Sequence, residues 1–136
     1  MPQFSERSRS NLAECHIDLQ VIFNEVIKYF DCVVIEGHRP KEEQDAAYAK
    51  GMSKVKYPDS KHNTLPSMAV DALPFPIDWK DTDRMKYFAG HVMGIAKLLK
   101  ATGRITHNLR WGGDWDGDTD LKDNSFMDLP HFELQK

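Results

Sequence analysis

The chain has 136 residues, a formal net charge of −3, 40% hydrophobic residues and 29% charged residues. These values predict a single folded domain over residues 1–136, with a flexible segment at residues 1–10. The slight negative charge argues against general nucleic-acid binding, and no apolar run approaches the roughly 20 residues of a membrane span. The polar start lacks the apolar stretch of a signal peptide, so we expect synthesis in the cytoplasm. We also expect the protein to be a soluble monomer.

The spacing of apolar residues predicts helices and strands in no repeating βαβ order. Helices are predicted over residues 11–30, 40–50 and 82–101. Strands are predicted over residues 32–35, 68–73, 105–111 and 131–134. Residues 53–67 and 112–125 have no periodicity and are predicted to be loops. This mixture indicates an α+β fold, in which helices pack around a small antiparallel sheet.

Cys15 and Cys32 are the only cysteines. Two thiols are too few to stabilise a domain of this size through a framework of disulfide bonds, and too few to form a tetrahedral metal site made of cysteines alone. Because both lie in apolar stretches, we expect them to be buried and reduced.

Asp71 is notable because it lies inside an apolar predicted strand. An ionised carboxylate there is costly unless a charge or a metal compensates it, although the side chain could instead face solvent. His62 lies in the preceding loop, and His131 opens the last strand, three residues after Asp128. Two imidazoles and one carboxylate form a common catalytic zinc set with a fourth position open to water. A further carboxylate beside that water would serve as general base and then as general acid.

Several segments in this order resemble a known family, the zinc D-Ala-D-Ala peptidases of the VanY/VanX type. They are SKH at 60–62, AVD at 69–71, DLPHF at 128–132, IEGHRP at 35–40, Gln44, DW at 78–79 and RWGGDW at 110–115. The likeness is greatest to the phage branch, the L-alanyl-D-glutamate endopeptidases that act as endolysins, and it covers residues 11–134. The segment between His62 and Asp71 is longer than the family pattern and has Pro66 and Ser67 where a glycine is usual.

The resemblance implies a hedgehog/DD-peptidase-like fold and a role for each matching residue. His62, Asp71 and His131 would hold Zn²⁺, and Asp128 would be the catalytic carboxylate. Arg39 would contact substrate or polarise the scissile carbonyl, which suits the affinity of arginine for oxyanions.

Four further residues are predicted to contact substrate: Ser60, Gln44, Trp111 and Trp115. Ser60 would also hydrogen-bond near the metal. The two tryptophans flank glycines and could line a groove, although core packing explains Trp111 equally well.

The function implied is zinc-dependent hydrolysis of the L-Ala–D-Glu bond in bacterial peptidoglycan stem peptides, after release to the wall through a separate pore or by lysis. A D,D- or L,D-carboxypeptidase is one alternative. Another is a non-catalytic module in which zinc only stabilises the fold.

An acidic stretch, Asp114, Asp116, Asp118 and Asp120, could bind Ca²⁺ and order the loop beside the site. It is not an EF-hand, because Thr119 and Ser125 occupy the positions of the turn glycine and the bidentate glutamate. The alternatives are a solvated acidic loop or, for the whole chain, a calcium-responsive binding protein. His16, His38, His91 and His107 have no predicted role.

Overall fold

The computed structural model describes residues 2–123 and 126–136, so Ser125 lies outside the described residues. Four α-helices occur within them: α1 (Glu6–Ala13), α2 (Ile17–Val26), α3 (Lys41–Ala49) and α4 (Thr82–Ala101). The strands β1 (Cys32–Glu36), β2 (Ala69–Pro74), β3 (Asn108–Trp111) and β4 (His131–Gln135) form one antiparallel sheet in the order β1-β2-β4-β3. The predicted α+β class is confirmed.

The sheet has one apolar and one polar face, because successive side chains of a strand point to opposite sides. The apolar side carries Val34, Val70, Ala72, Leu109, Phe132 and Leu134, which join the buried core with residues of α1, α2 and α4. Phe132 packs edge-on against Phe23 of α2 and Phe88 of α4, with ring centroids 5.6 and 6.4 Å apart. The helices therefore cover one face and leave the other free for chemistry.

The single helix predicted over residues 11–30 is wrong, because the chain breaks it between α1 and α2. The amide of His16 donates to the carbonyl of Ser67 at 2.8 Å, and the amide of Ser67 donates to the carbonyl of Glu14 at 2.8 Å. These strand-like bonds take backbone groups that a continuous helix would need. The Nδ1 atom of His16 then caps α2 by accepting from the amide of Asp18.

The predicted flexible start is also wrong from Glu6 onward, where α1 begins. Ser8 is 1% exposed, and its hydroxyl accepts from the amide of Val34 at 3.1 Å. Asn11 donates to the carbonyl of the same residue at 2.9 Å. Because α1 binds the backbone of β1 in this way, the N-terminal segment is part of the fold.

Other elements follow the predictions closely. The bounds of α4 are those predicted, α3 and β2 differ by one residue at each end, and β4 differs by one residue at its C-terminal end. Cys15 and Cys32 are buried and free, and burial raises the pKa of both thiols to about 12. In residues 2–123 and 126–136, no helix combines the length and apolarity that a membrane crossing requires.

Strand β3 starts three residues later than predicted because Asp18 binds the segment before it. The Oδ2 atom of Asp18 accepts from the amide and hydroxyl of Thr106 and from the amide and Nδ1 of His107, at 2.7 to 3.1 Å. Burial opposes ionisation here, but these hydrogen bonds outweigh it and lower the pKa of Asp18. The carboxylate therefore joins the start of α2 to the chain that leaves α4.

Replacing Asp18 with Asn should lower the free energy of unfolding at pH 7 by about 1–3 kcal/mol, because a charged hydrogen-bond acceptor becomes neutral. A lowered folded-state pKa means that this stability is present above the unfolded pKa of about 3.9 and is lost as pH falls through the folded pKa. Urea unfolding at several pH values should therefore show the variant and the wild type converging below about pH 4.

Asp45→Asn is the matched control, since Asp45 is exposed and pairs with exposed Lys41. It should change stability little. A loss at Asp18 that is no larger than at Asp45, or that does not depend on pH, would contradict this account.

Candidate active site

The polar face of the sheet brings three acidic and basic residues into one row. Strand pairing places Asp71 of β2 directly opposite His131 of β4, and Glu36 of β1 opposite Asp71 on its other side. Glu36 reaches this face because β1 contains an irregularity between Val34 and Glu36, which shifts the register of the strand. The row therefore follows from backbone pairing alone.

His62 joins the row from a short 3₁₀ turn, Lys61–Asn63, that precedes β2. The hydroxyl of Ser60 accepts from the amide of His62 at 3.2 Å, and the side chain of Asn63 accepts from the amide of Ser60 at 3.0 Å. The Nδ1 atom of His62 donates to the carbonyl of Gly37 at 2.7 Å. With the ring 1% exposed and anchored at Nδ1, the Nε2 atom is aimed at Asp71 and His131.

Three ligand-type atoms meet at this point. The Nε2 atom of His62 lies 3.2 Å from Oδ1 of Asp71 and 3.2 Å from Nδ1 of His131, and the last two atoms are 3.3 Å apart. Three ligand atoms on a tetrahedral zinc ion, each about 2.0–2.2 Å from it, are roughly 3.3–3.6 Å apart. The spacing and the donor types therefore fit such an ion, and the three predicted ligands are brought together in a group that could hold a metal.

Glu133 is a functional candidate that the sequence analysis missed. Its Oε1 atom accepts from Nε2 of His131 at 2.8 Å, which leaves the lone pair of Nδ1 directed at the cluster. Its Oε2 atom lies 2.7 Å from Arg110 and 3.2 Å from Nζ of Lys61. Residues two positions apart in a strand lie on the same face, so Glu133 is beside His131. Because a ligand histidine commonly donates to a carboxylate, this spacing could have identified Glu133 from the sequence.

The charges of the cluster support each other. Burial opposes ionisation of His131, yet the neighbouring carboxylates raise its pKa to about 9. Burial also opposes ionisation of Asp71, yet the two histidines hold its pKa well below the usual range. Burial likewise opposes ionisation of Glu133, but hydrogen bonds from His131 and Arg110 lower its pKa to about 2. The site thus demands positive charge between its acceptor atoms, which a proton or a metal cation can supply.

Asp128 stands beside the cluster, with its Oδ2 atom 3.9 Å from Nδ1 of His131 and its side chain 29% exposed. Its amide donates to the carbonyl of Gly112 at 2.9 Å, and a Cβ atom at residue 112 would overlap the Asp128 carbonyl oxygen. Burial and the neighbouring charge of Asp71 raise the pKa of Asp128 to about 6. A carboxyl group with that pKa can accept and return a proton near neutral pH.

Arg39 is held beside Asp71 by a set of buried partners. Its Nε atom donates to Glu36 at 2.7 Å, its Nη1 atom to Gln44 at 2.9 Å, and its Nη2 atom lies 3.7 Å from Oδ2 of Asp71. Its side chain is 13% exposed, and it lines two cavities that reach the cluster. A guanidinium in this position can meet a substrate oxygen.

The prediction that Gln44 contacts substrate is wrong, because Gln44 is completely buried. Its Oε1 atom accepts from Arg39 and Asn63, and its Nε2 atom donates to the hydroxyl of Ser53 and the carbonyl of Val55. These bonds use the full hydrogen-bonding capacity of the amide. Gln44 therefore fixes Arg39 and the 53–55 segment rather than substrate.

The two predicted groove tryptophans differ. Trp111 is 5% exposed, donates to the carbonyl of Leu129 and belongs to the buried core, while its remaining surface lines a cavity beside the acidic loop. Its contact with substrate stays a prediction. Trp115 lines the cavity at the cluster, with its ring centroid 5.5 Å from that of His131. Ser60 lines the same cavity while capping the turn that carries His62.

The acidic loop gathers three carboxylates, because Asp114, Asp116 and Asp118 offer oxygens within 4.8 Å of one another. Asp120 instead accepts from the amide of Lys122 and is not one of that group. The donor types would suit a hard cation, although exposed acidic groups commonly occur without one.

Among the unassigned histidines, His16 and His107 form a further group with Asp18. The Nδ1 atom of His16 accepts from the amide of Asp18, and the Nδ1 atom of His107 is hydrogen-bonded to the Asp18 carboxylate. These bonds cap the start of α2 and form part of the link between Asp18 and residues 106–107 described above. His91 packs against Phe30, and His38 stays unassigned.

Comparison with known proteins places this geometry in a family. The family described as phage L-alanyl-D-glutamate peptidase matches residues 1–135. The chain belongs to this family. The crystal structure of the L-Ala D-Glu endopeptidase ChiX of Serratia marcescens matches with a TM-score of 0.72 and 26% identity, over 98% of this chain and 90% of that one. The resemblance, the fold and the peptidoglycan-hydrolase class predicted from sequence are thereby confirmed for this L-alanyl-D-glutamate peptidase.

Proposed function

We propose that this peptidase is zinc-dependent and cuts the L-Ala–D-Glu bond within peptidoglycan stem peptides. The observation that carries the proposal is the meeting of His62, Asp71 and His131 at 3.2–3.3 Å, with Asp128 beside them. His62, Asp71 and His131 would hold the zinc ion. Such an ion, when bound, supplies Lewis acidity toward a carbonyl and makes hydroxide available near neutral pH.

Two residues of the protein act on the reacting groups, one by transferring protons and the other by stabilising negative charge. The carboxylate of Asp128 takes the proton of the attacking water, and the same group later delivers it to the departing amine of D-glutamate. Arg39 stabilises the negative charge that develops on the carbonyl oxygen. Glu36 and Gln44 hold the guanidinium in place, so this stabilisation needs no rearrangement.

An endopeptidase agrees with the surface better than a carboxypeptidase does. Two cavities of about 300 and 820 Å³ reach the cluster, the first lined by His62 and His131 and the second by Asp71. They share Arg39, Met52 and Asp128. A peptide can therefore continue beyond the scissile bond in both directions, whereas a carboxypeptidase needs a pocket closed around one chain end. A purely structural zinc site is disfavoured because it has no use for a carboxyl group of raised pKa at its edge.

We expect wild-type protein to cut muropeptides into products that have a new D-glutamate amino terminus. The turnover of Asp128→Asn should be lower by about 10²- to 10⁴-fold. The loss follows because asparagine cannot take a proton from water. Mass spectrometry of digested muropeptides and elemental analysis of both proteins would measure products and zinc together.

The variant should keep its zinc and its far-UV spectrum, which separates lost chemistry from lost structure. Near-normal turnover in Asp128→Asn would refute the base assignment. Free D-alanine as the only product would instead support the carboxypeptidase alternative.

Glu133→Gln should weaken zinc binding about 10- to 100-fold, because the partner that orients His131 loses its charge. Competition with a chromogenic chelator measures this without any substrate. Glu42→Gln, at an exposed position in the first turn of α3, is the matched control and should bind zinc like wild type. Equal affinities in all three proteins would remove Glu133 from the metal site.

Calcium binding at the acidic loop stays a prediction. Among residues 2–123 and 126–136, one buried oxygen of Asp114 has no hydrogen-bond partner, and a bound cation would satisfy it. Calorimetric titration of Ca²⁺ into zinc-loaded protein should give saturable binding that Asp116→Asn and Asp118→Asn together abolish. If the wild type gives no binding heat, the loop is a solvated acidic segment.

We further propose that the protein is a single monomeric domain. It would reach the cell wall after release through a separate pore or by lysis. Gel filtration and turbidity assays on isolated walls, with protein added from outside, test these two points.

A further inference from the structure

The two cavities beside the cluster differ in chemistry, and the difference bears on how substrate lies in the site. The cationic arm is the cavity of about 300 Å³, lined among others by Ser53, Lys54, Lys61, Arg110, Trp115 and Phe126. The apolar arm is the cavity of about 820 Å³, lined among others by Ile35, Ala46, Ile77, Trp79, Met85 and Leu129. The charged residues that line the apolar arm are four carboxylates, Glu36, Glu43, Asp71 and Asp128, and three cations, Arg7, Arg39 and Lys50, so carboxylates are in slight excess there.

Positive charge is in slight excess in the cationic arm, which is lined by four cations, Arg39, Lys54, Lys61 and Arg110, and by three carboxylates, Asp59, Asp128 and Glu133. Lys61 and Arg110 both bind one carboxylate, Glu133, which also accepts from His131. Lys54 extends over the ring of Phe126, with its ammonium nitrogen 5.2 Å from the centroid. Within residues 2–123 and 126–136, no carboxylate lies in ion-pair range of Lys54, so this ammonium is available to a ligand.

The substrate has one half that carries matching charge. Glutamate has two carboxyl groups, and whichever one continues the stem peptide, the other is a free anion unless it is amidated. The L-alanyl half has no such group.

We propose that the cationic arm binds the D-glutamyl half of the substrate, with the Lys54 ammonium paired to its free carboxylate. This inference rests on the proposed function. It orients the substrate so that the departing amine lies on the Lys54 side of Asp128 and the alanyl half extends into the apolar arm. It also makes Lys54 a specificity residue that distinguishes glutamate from its amidated form.

The test compares two stem-peptide substrates in which the γ-carboxyl group of D-glutamate is amide-linked to the next residue, one with a free α-carboxylate and one with an α-carboxamide. Wild-type enzyme should prefer the carboxylate by about tenfold or more in kcat/KM. In Lys54→Met the ratio between the two substrates should fall to about one, because the apolar stem is kept and the charge is lost. KM should carry most of the change, since the ion pair with the free carboxylate would form equally in the bound substrate and in the transition state.

Lys56→Met is the matched control. Lys56 also lies over an aromatic ring, 5.3 Å from the centroid of Tyr48, but it does not line the cationic arm. It should keep the wild-type ratio. Wild-type enzyme that cuts both substrates equally, or Lys54→Met that keeps the preference, overturns the inference while the proposed function stands. Failure of wild type to cut either substrate between alanine and glutamate overturns the proposed function itself.

Discussion

The mutual approach of three electron-pair donors on the polar face of the sheet is the constraint on which the site depends. Asp71 and His131 are opposite each other in the β2–β4 ladder, and His62 is pinned against them by its bond to the Gly37 carbonyl. Atoms of this kind at 3.2–3.3 Å repel each other unless positive charge lies between them. The energy that holds them together comes from elsewhere, from the apolar packing on the opposite face of the same strands.

Charge alternates outward from that point, and this alternation explains how so many ionisable groups can be buried. Arg39 lies on one side of the cluster, held between Asp71, Glu36 and Gln44. On the other side His131 meets Glu133, which in turn meets Lys61 and Arg110. Each buried charge therefore has a partner of opposite sign and geometrically defined hydrogen bonds, the condition under which burial of charge is tolerated. The rigidity of this network keeps the reacting groups in place before substrate arrives.

The sequence predicted the fold class from the order of its elements and grouped four side chains, His62, Asp71, Asp128 and His131, mainly through the family resemblance. The residues themselves supplied part of the signal, because an aspartate inside an apolar strand is unusual. Gln44 and Glu133 were misjudged or missed because each reads as an ordinary polar residue, and only the tertiary structure shows that it is buried and fully bonded. The break between α1 and α2 escaped prediction for a similar reason. The apolar spacing continues through it, while the bonds to Ser67 come from far along the chain.

The connection between β3 and β4 is closed at its base, where Gly112 and Asp128 are joined by a backbone hydrogen bond and the Gly112 amide donates to His131. The glycine is required there because any side chain would collide with the Asp128 carbonyl. The position of Asp128 is thus fixed by the two ends of the connection rather than by the acidic residues between them. A change in those acidic residues could alter the wall of the cavity formed by Trp115 and Phe126 while the carboxylate stays in place.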